Sequence, residues 1–147
     1  MPLMQIFDVA GSAMTAQNTR LNTTASNLAN ADSVASNRDD TYRARHPVFA
    51  ARLEQALADE PAWGGASETD ATAGVSVKGI VESEAPLEMR YEPHHPMADE
   101  NGYVAYPNVN VVDEMADMMS ASRSFQMNVQ MLNTVKSMAE RLLTMGQ

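Results

Sequence analysis

The chain has 147 residues, a net charge of −9, a pI near 4.6 and no cysteine. The acidic balance, with no cluster of lysine or arginine, argues against nucleic acid or an anionic membrane surface as a partner, and the missing thiol excludes disulfides, thiolate metal sites and thiol catalysis. Aromatic residues make up only 5% and apolar content rests on Ala, Val, Leu and Met, a composition suited to helix seams around a thin core.

The first predicted element is a helix opening at Pro2, a residue favoured at the first helical position, and running to about Asn30, roughly 43 Å. Leu3, Phe7, Ala10, Met14, Leu21 and Leu28 mark an apolar stripe along it. The segment Met1 to Asp8 lacks the basic and apolar regions of a cleaved signal peptide, and no run of 18 apolar residues occurs, so no direct membrane insertion is expected. Asp32, Ser33, Ser36, Asn37, Asp39 and Asp40 then predict a loop.

Residues 42–52 read as an extended segment that Pro47 confines to a sheet edge. Between Glu54 and Gly74 five acidic residues, no basic one, Pro61 and three glycines predict a surface excursion around Trp63. Alternation then marks short strands at Val75 to Val81 and Leu87 to Tyr91, with a turn at Asn101-Gly102 and a further strand at 103–106. A second helix is expected from an N-cap at Asn110, with Asp113 and Glu114 favouring the dipole, to about Met145, roughly 50 Å, with Gly146 at its end. Its stripe is Val111, Met115, Met118, Phe125, Val129, Leu132, Met138, Leu142 and Met145. The fold class is therefore α+β: long N- and C-terminal helices pairing as a coiled-coil-like core, with a small β-rich middle. The divisions are 1–30, an N-terminal assembly helix; 31–107, a loop and small outer domain; and 108–147, a C-terminal assembly helix.

Chemistry is sought and mostly not found. His94 and His95 sit in a proline-flanked loop near Asp99 and Glu100 without a third ligand at metal spacing. No phosphate loop, dinucleotide fingerprint or hydrolase motif occurs, so neither a cofactor nor an enzyme activity is expected. The methionines of the second helix read as adaptable packing side chains. Between Ser120 and Met138 only Arg123 and Lys136 are ionisable, which predicts burial of more than one face.

The run Ala25-Ser26-Asn27-Leu28-Ala29-Asn30-Ala31-Asp32-Ser33 resembles the signature closing the N-terminal helix of the bacterial flagellar axial family of rod, hook and hook-associated proteins. Tyr91 to Pro96, Gly102 to Met115, Ser120 to Val129 and Leu132 to Lys136 are similar to its proximal rod members. In departures, the signature threonine is Ser33, a family tyrosine is Phe125, and the acidic loop around Trp63 has no counterpart. The resemblance implies a structural rod subunit of the flagellar basal body, needed for motility. It would be exported through the flagellar type III apparatus without a cleaved signal peptide and polymerised across the periplasm as part of the drive shaft. Implied partners are other proximal and distal rod proteins, the adaptor at the base, the rod-capping protein during assembly and the export apparatus. Within that reading the assembly candidates are Leu3, Phe7, Met14, Leu21, Leu28, Met115, Met118, Phe125, Val129 and Leu132 from the stripes. Asn27, Asn30, Asn108 and Asn110 join them as capping or register-fixing carboxamides, and Arg123 as a cation seeking a partner on another subunit. A soluble helical adaptor would share the stripes but not the motifs.

Overall fold

The computed structural model describes residues 2–35, 37–52 and 74–145. Its elements are α1 (Pro2–Ala29), β1 (Arg45–Ala51), β2 (Val75–Glu82), β3 (Glu88–Tyr91), β4 (Tyr103–Tyr106) and α2 (Val111–Met145). This is the expected α+β order, and the helix limits fall within a residue or so of those read from Pro2, Asn30 and Asn110. The excursion around Trp63, the glycine at 146 and Ser36 lie outside the described residues, as do the side chains of Leu3 and Met145.

α1 and α2 form the largest contact between elements. They run antiparallel, because Arg20 of α1 reaches Asp117 while Asn27, two turns later, reaches Glu114. On α2 the covered positions include Glu114, Met118, Ala121, Phe125, Asn128, Leu132, Val135 and Ala139, a line of steps of four and three, with Asp117, Ser122, Ser124 and Val129 part-covered beside it. On α1 the matching line is Ala10, Ala13, Gln17, Arg20, Thr24 and Asn27. A 3.5-residue repeat is the seam of a left-handed coiled coil.

The seam differs from the apolar stripes in one respect. Its most buried positions are Ala10, Thr24, Asn27, Glu114, Ala121 and Val135, small or polar residues rather than the large apolar ones. Phe7 stays 38% exposed and Met115 52%. Small residues let the helix backbones approach, so the bulk is turned outward. Buried threonines are tolerated because their hydroxyls donate back into the helix, Thr23 to Thr19 O at 2.8 Å and Thr24 to Arg20 O at 3.0 Å. Equal rise along the pair sets the start of α1 opposite about residue 139. Leu142 and Leu143 of α2 therefore project past α1, and both are exposed.

The middle is two antiparallel ribbons. β1 pairs with β2 from Arg45 opposite Glu82 to Ala51 opposite Val75, with a bulge after Val48 that leaves Lys78 unopposed. Pro47 is accommodated because a two-stranded ribbon has only edge strands. The ribbon lies along α1: Ser12 Oγ accepts from Val75 N at 3.1 Å, and Asn27 binds Arg45. Ala16 and Thr23, both buried, fall on the line between those two contacts. β3 pairs with β4, Tyr91 opposite Tyr103 with their rings edge to face at 5.4 Å. Gly102 closes that hairpin at φ 78, where an added Cβ would meet the Tyr91 ring at 3.0 Å. Val104 is fully buried, and Ala105 bridges back to Ala35 of the loop after α1. Val104 and Asn27 are the largest fully buried side chains described, so the core is thin.

Candidate assembly interface

Asn27 sits in the last turns of α1 with no exposed surface. Its Nδ2 donates to Arg45 O at 2.8 Å and to Glu114 Oε1 at 2.8 Å. Its Oδ1 accepts from Arg45 N at 2.9 Å and from the Tyr42 hydroxyl at 2.8 Å. A carboxamide has two N–H donors and two lone pairs on oxygen, so Asn27 is saturated. One side chain thereby joins α1, the loop before β1, the first residue of β1 and the first turn of α2. Arg45 adds to the junction, lying 5.5 Å from the Tyr42 ring centroid and pairing with Glu82 at 2.8 Å.

The other asparagines divide the remaining work. Asn108, just before α2, accepts from Ala44 N at 2.8 Å and donates to Ala85 O at 2.9 Å, tying both strand entries to the helix start. Asn110 is the N-cap: its Oδ1 accepts from Val112 N at 3.1 Å, its carbonyl from Glu114 N at 3.0 Å, and its Nδ2 donates to Asp113 at 2.8 Å. Asn30 acts locally, donating to Ser26 O at 2.8 Å and accepting Ser33 N and Oγ on its carbonyl. The Ser33 hydroxyl thus helps close the turn after α1.

Glu114 lies in the first turn of α2, as read from sequence, and is only 5% exposed. Its Oε1 accepts from Asn27, and its Oε2 is buried without a hydrogen-bond partner. The available sequence signal is the seven-residue spacing Glu114, Ala121, Asn128, Val135, which sets the acid on the covered side of α2. The Arg20 to Asp117 ion pair at 2.7 Å, also unforeseen, lies one turn along the same seam.

Around the rest of α2, and beyond the end of α1, large side chains face solvent. Met115, Met119, Met127, Met131, Met138 and Leu142 are each more than half exposed. Arg123 sits among them, exposed, with no hydrogen bond or ion pair to another described residue. Met118, Phe125, Val129 and Leu132, and on α1 Met14, Leu21 and Leu28, are half-buried. α2 therefore covers one seam with α1 and leaves several large apolar side chains, with Arg123 among them, open around the rest of its circumference.

Away from this surface, Arg90 stacks 4.3 Å from the Tyr106 ring centroid and donates to Glu88 at 3.1 Å, a bond that raises its pKa above the usual arginine value. His95 Nδ1 accepts from Met97 N at 3.1 Å, a loop-closing role. Among the described residues no three His, Asp or Glu side chains are grouped to hold a metal ion, and no helix is long and apolar enough to cross a membrane.

Two family models match the chain. The model of the flagella basal body rod protein family matches residues 7–35, which hold most of α1 and the hub asparagine. The model of the flagellar basal body rod FlgEFG protein C-terminal family matches residues 100–145, from the β3–β4 turn through α2. The chain is 51% identical to the flagellar basal-body rod protein FlgC of Salmonella typhimurium and 52% identical to that of Escherichia coli O6:H1, each over all of both chains. It is 35% identical to FlgC of Borreliella burgdorferi over 100% of this chain and 99% of the other. By full-length identity at this level, the chain belongs to the FlgC family of flagellar basal-body rod proteins.

Proposed function

We propose that this chain builds the proximal part of the flagellar rod, polymerising through α1 and α2 to form part of the drive shaft. Its role is structural and not enzymatic, in the basal-body rod with other rod components, as its family membership gives. The finer reading assigns residues 1–30 and 108–147 to assembly and 31–107 to a small outer domain. Proximal and distal rod proteins, the basal adaptor, the rod-capping protein and the type III export apparatus are its partners, and it crosses to the periplasm through that apparatus.

The observation that supports assembly through α2 is the set of exposed large side chains from Met115 to Leu142. So many large apolar side chains left open on one helix favour burial against other helices. Methionine suits contacts with non-identical neighbours, because its unbranched thioether adapts to irregular surfaces. The test is basal-body purification and motility in a deletion strain carrying either the full chain or one lacking its last 30 residues. The full chain restores rods and swimming; the truncated chain does not. A deletion strain that swims normally removes the rod reading, and rescue by the truncated chain removes assembly through α2.

A further inference from the structure

Gly102 is the one glycine of the chain preceded by asparagine. Such a pair is chemically reactive. The glycine nitrogen, unshielded by a Cβ, gives its proton to solvent, bonds to the asparagine side-chain carbonyl carbon and expels ammonia. Water then opens the resulting succinimide at either carbonyl, leaving aspartate or isoaspartate. The fold requires glycine here, because φ is 78 and an added Cβ would meet the Tyr91 ring at 3.0 Å and Pro93 at 3.2 Å. The same turn withholds the attacking nitrogen. Gly102 N donates to Asp99 O at 2.8 Å, closing residues 99–102 as a turn. Asp99 N donates to Tyr103 O at 2.8 Å and Glu92 N to Gly102 O at 2.9 Å, so the peptides on both sides are tied as well. Asn101 itself is exposed, which puts water at hand. Ring closure is therefore the step held back: the Gly102 N–H bond to Asp99 must break and the 101–102 peptide must rotate toward the side chain.

We propose that Asn101-Gly102 is a deamidation site kept silent by the β3–β4 hairpin, so that the succinimide forms only while the hairpin is open and the isoaspartyl product then keeps it open. Isoaspartate inserts a methylene into the main chain at 101. The turn closure at Asp99 and the register that sets Tyr91 opposite Tyr103 are both lost with it. A chain that stays open long enough carries a permanent mark next to β4, whatever it later assembles into.

The test follows the purified full chain in mildly alkaline buffer with and without unfolding urea. Tryptic fragment 91–123 is analysed by mass spectrometry for exchange of NH for O at 101, and isoaspartate is assayed separately. Conversion is expected at Asn101 in urea and to be slower by about tenfold or more in buffer, since it must wait for a local opening. Val104→Ala, which withdraws the fully buried side chain of β4, is expected to raise the rate in buffer several-fold and leave the rate in urea unchanged. No conversion in urea overturns the site. Equal rates with and without urea, or an unchanged rate in buffer for Val104→Ala, overturn the hairpin as its guard.

Discussion

Replacing Asn27 by alanine strands three groups at once, one buried and two part-buried. Arg45 N, Arg45 O and Glu114 Oε1 lose their partner, whereas the Tyr42 hydroxyl keeps Ser26 Oγ at 3.3 Å. An unsatisfied buried polar group costs about 1 to 3 kcal/mol, and partial relaxation keeps the sum toward the lower end, about 3 to 5 kcal/mol. Against a usual stability of about 5 to 15 kcal/mol this is a large fraction. For a chain of this size it lowers the melting midpoint by about 6 to 20 °C. Thermal melts of the purified chain followed by circular dichroism measure it. Asn27→Asp sharpens the test. The carboxylate keeps both acceptor positions but faces Glu114 and Arg45 O where the amide donated, so it should destabilise at least as much as alanine. A midpoint within about 3 °C of the parent for either variant would refute the hub as the main tie between helices and ribbon.

Three further outcomes concern α2. Ala121→Leu adds bulk at a position with no exposure and should cost about 1 to 3 kcal/mol in urea unfolding, while a neutral result would mean a looser seam. Arg123→Ala should change the subunit's stability by no more than about 0.5 kcal/mol, because the guanidinium is exposed without a described partner, yet abolish swimming; retained motility would remove Arg123 from the interface. Met131→Glu should likewise leave the isolated chain folded, with a shift of about 0.5 kcal/mol at most, and block rod recovery, since it sets a charge among the exposed apolar side chains. Recovery of intact rods from that variant would locate the docking surface elsewhere.

What could be read beforehand was set by local chemistry. Pro2, Asn110 and the turn residues after Asn30 have fixed backbone preferences, so the helix ends were legible. Strand alternation at Val75 to Val81 was equally plain. The seam was not, because periodicity arguments weigh large apolar residues and this seam is made of Ala10, Thr24, Asn27 and Ala121. The stripe Met115, Met138 and Leu142 is real but faces outward. Among the candidate polar residues, Asn27 and Asn110 occupy the kinds of position their residue type suggests. Glu114 does sit in the first turn, but its burial was not legible, because a first-turn acid favours the helix dipole whether or not another element covers it. Its burial depends on Asn27, 87 positions away in sequence, and no local pattern encodes that distance.

The outward methionines also make the subunit chemically legible. A thioether open to solvent is oxidised by peroxide to the sulfoxide, which is polar and chiral. Met115, Met119, Met127, Met131 and Met138 are all open in the lone chain, on one helix. An oxidant meeting subunits before assembly would turn those oily side chains into wet ones, leaving the Asn27 hub and the alanine seam untouched. The damaged molecule would remain folded and lose its adhesion. Restoring it would require sulfoxide reductases, so a free subunit in an oxidising compartment has a limited useful lifetime, and each methionine buried by polymerisation is withdrawn from that hazard.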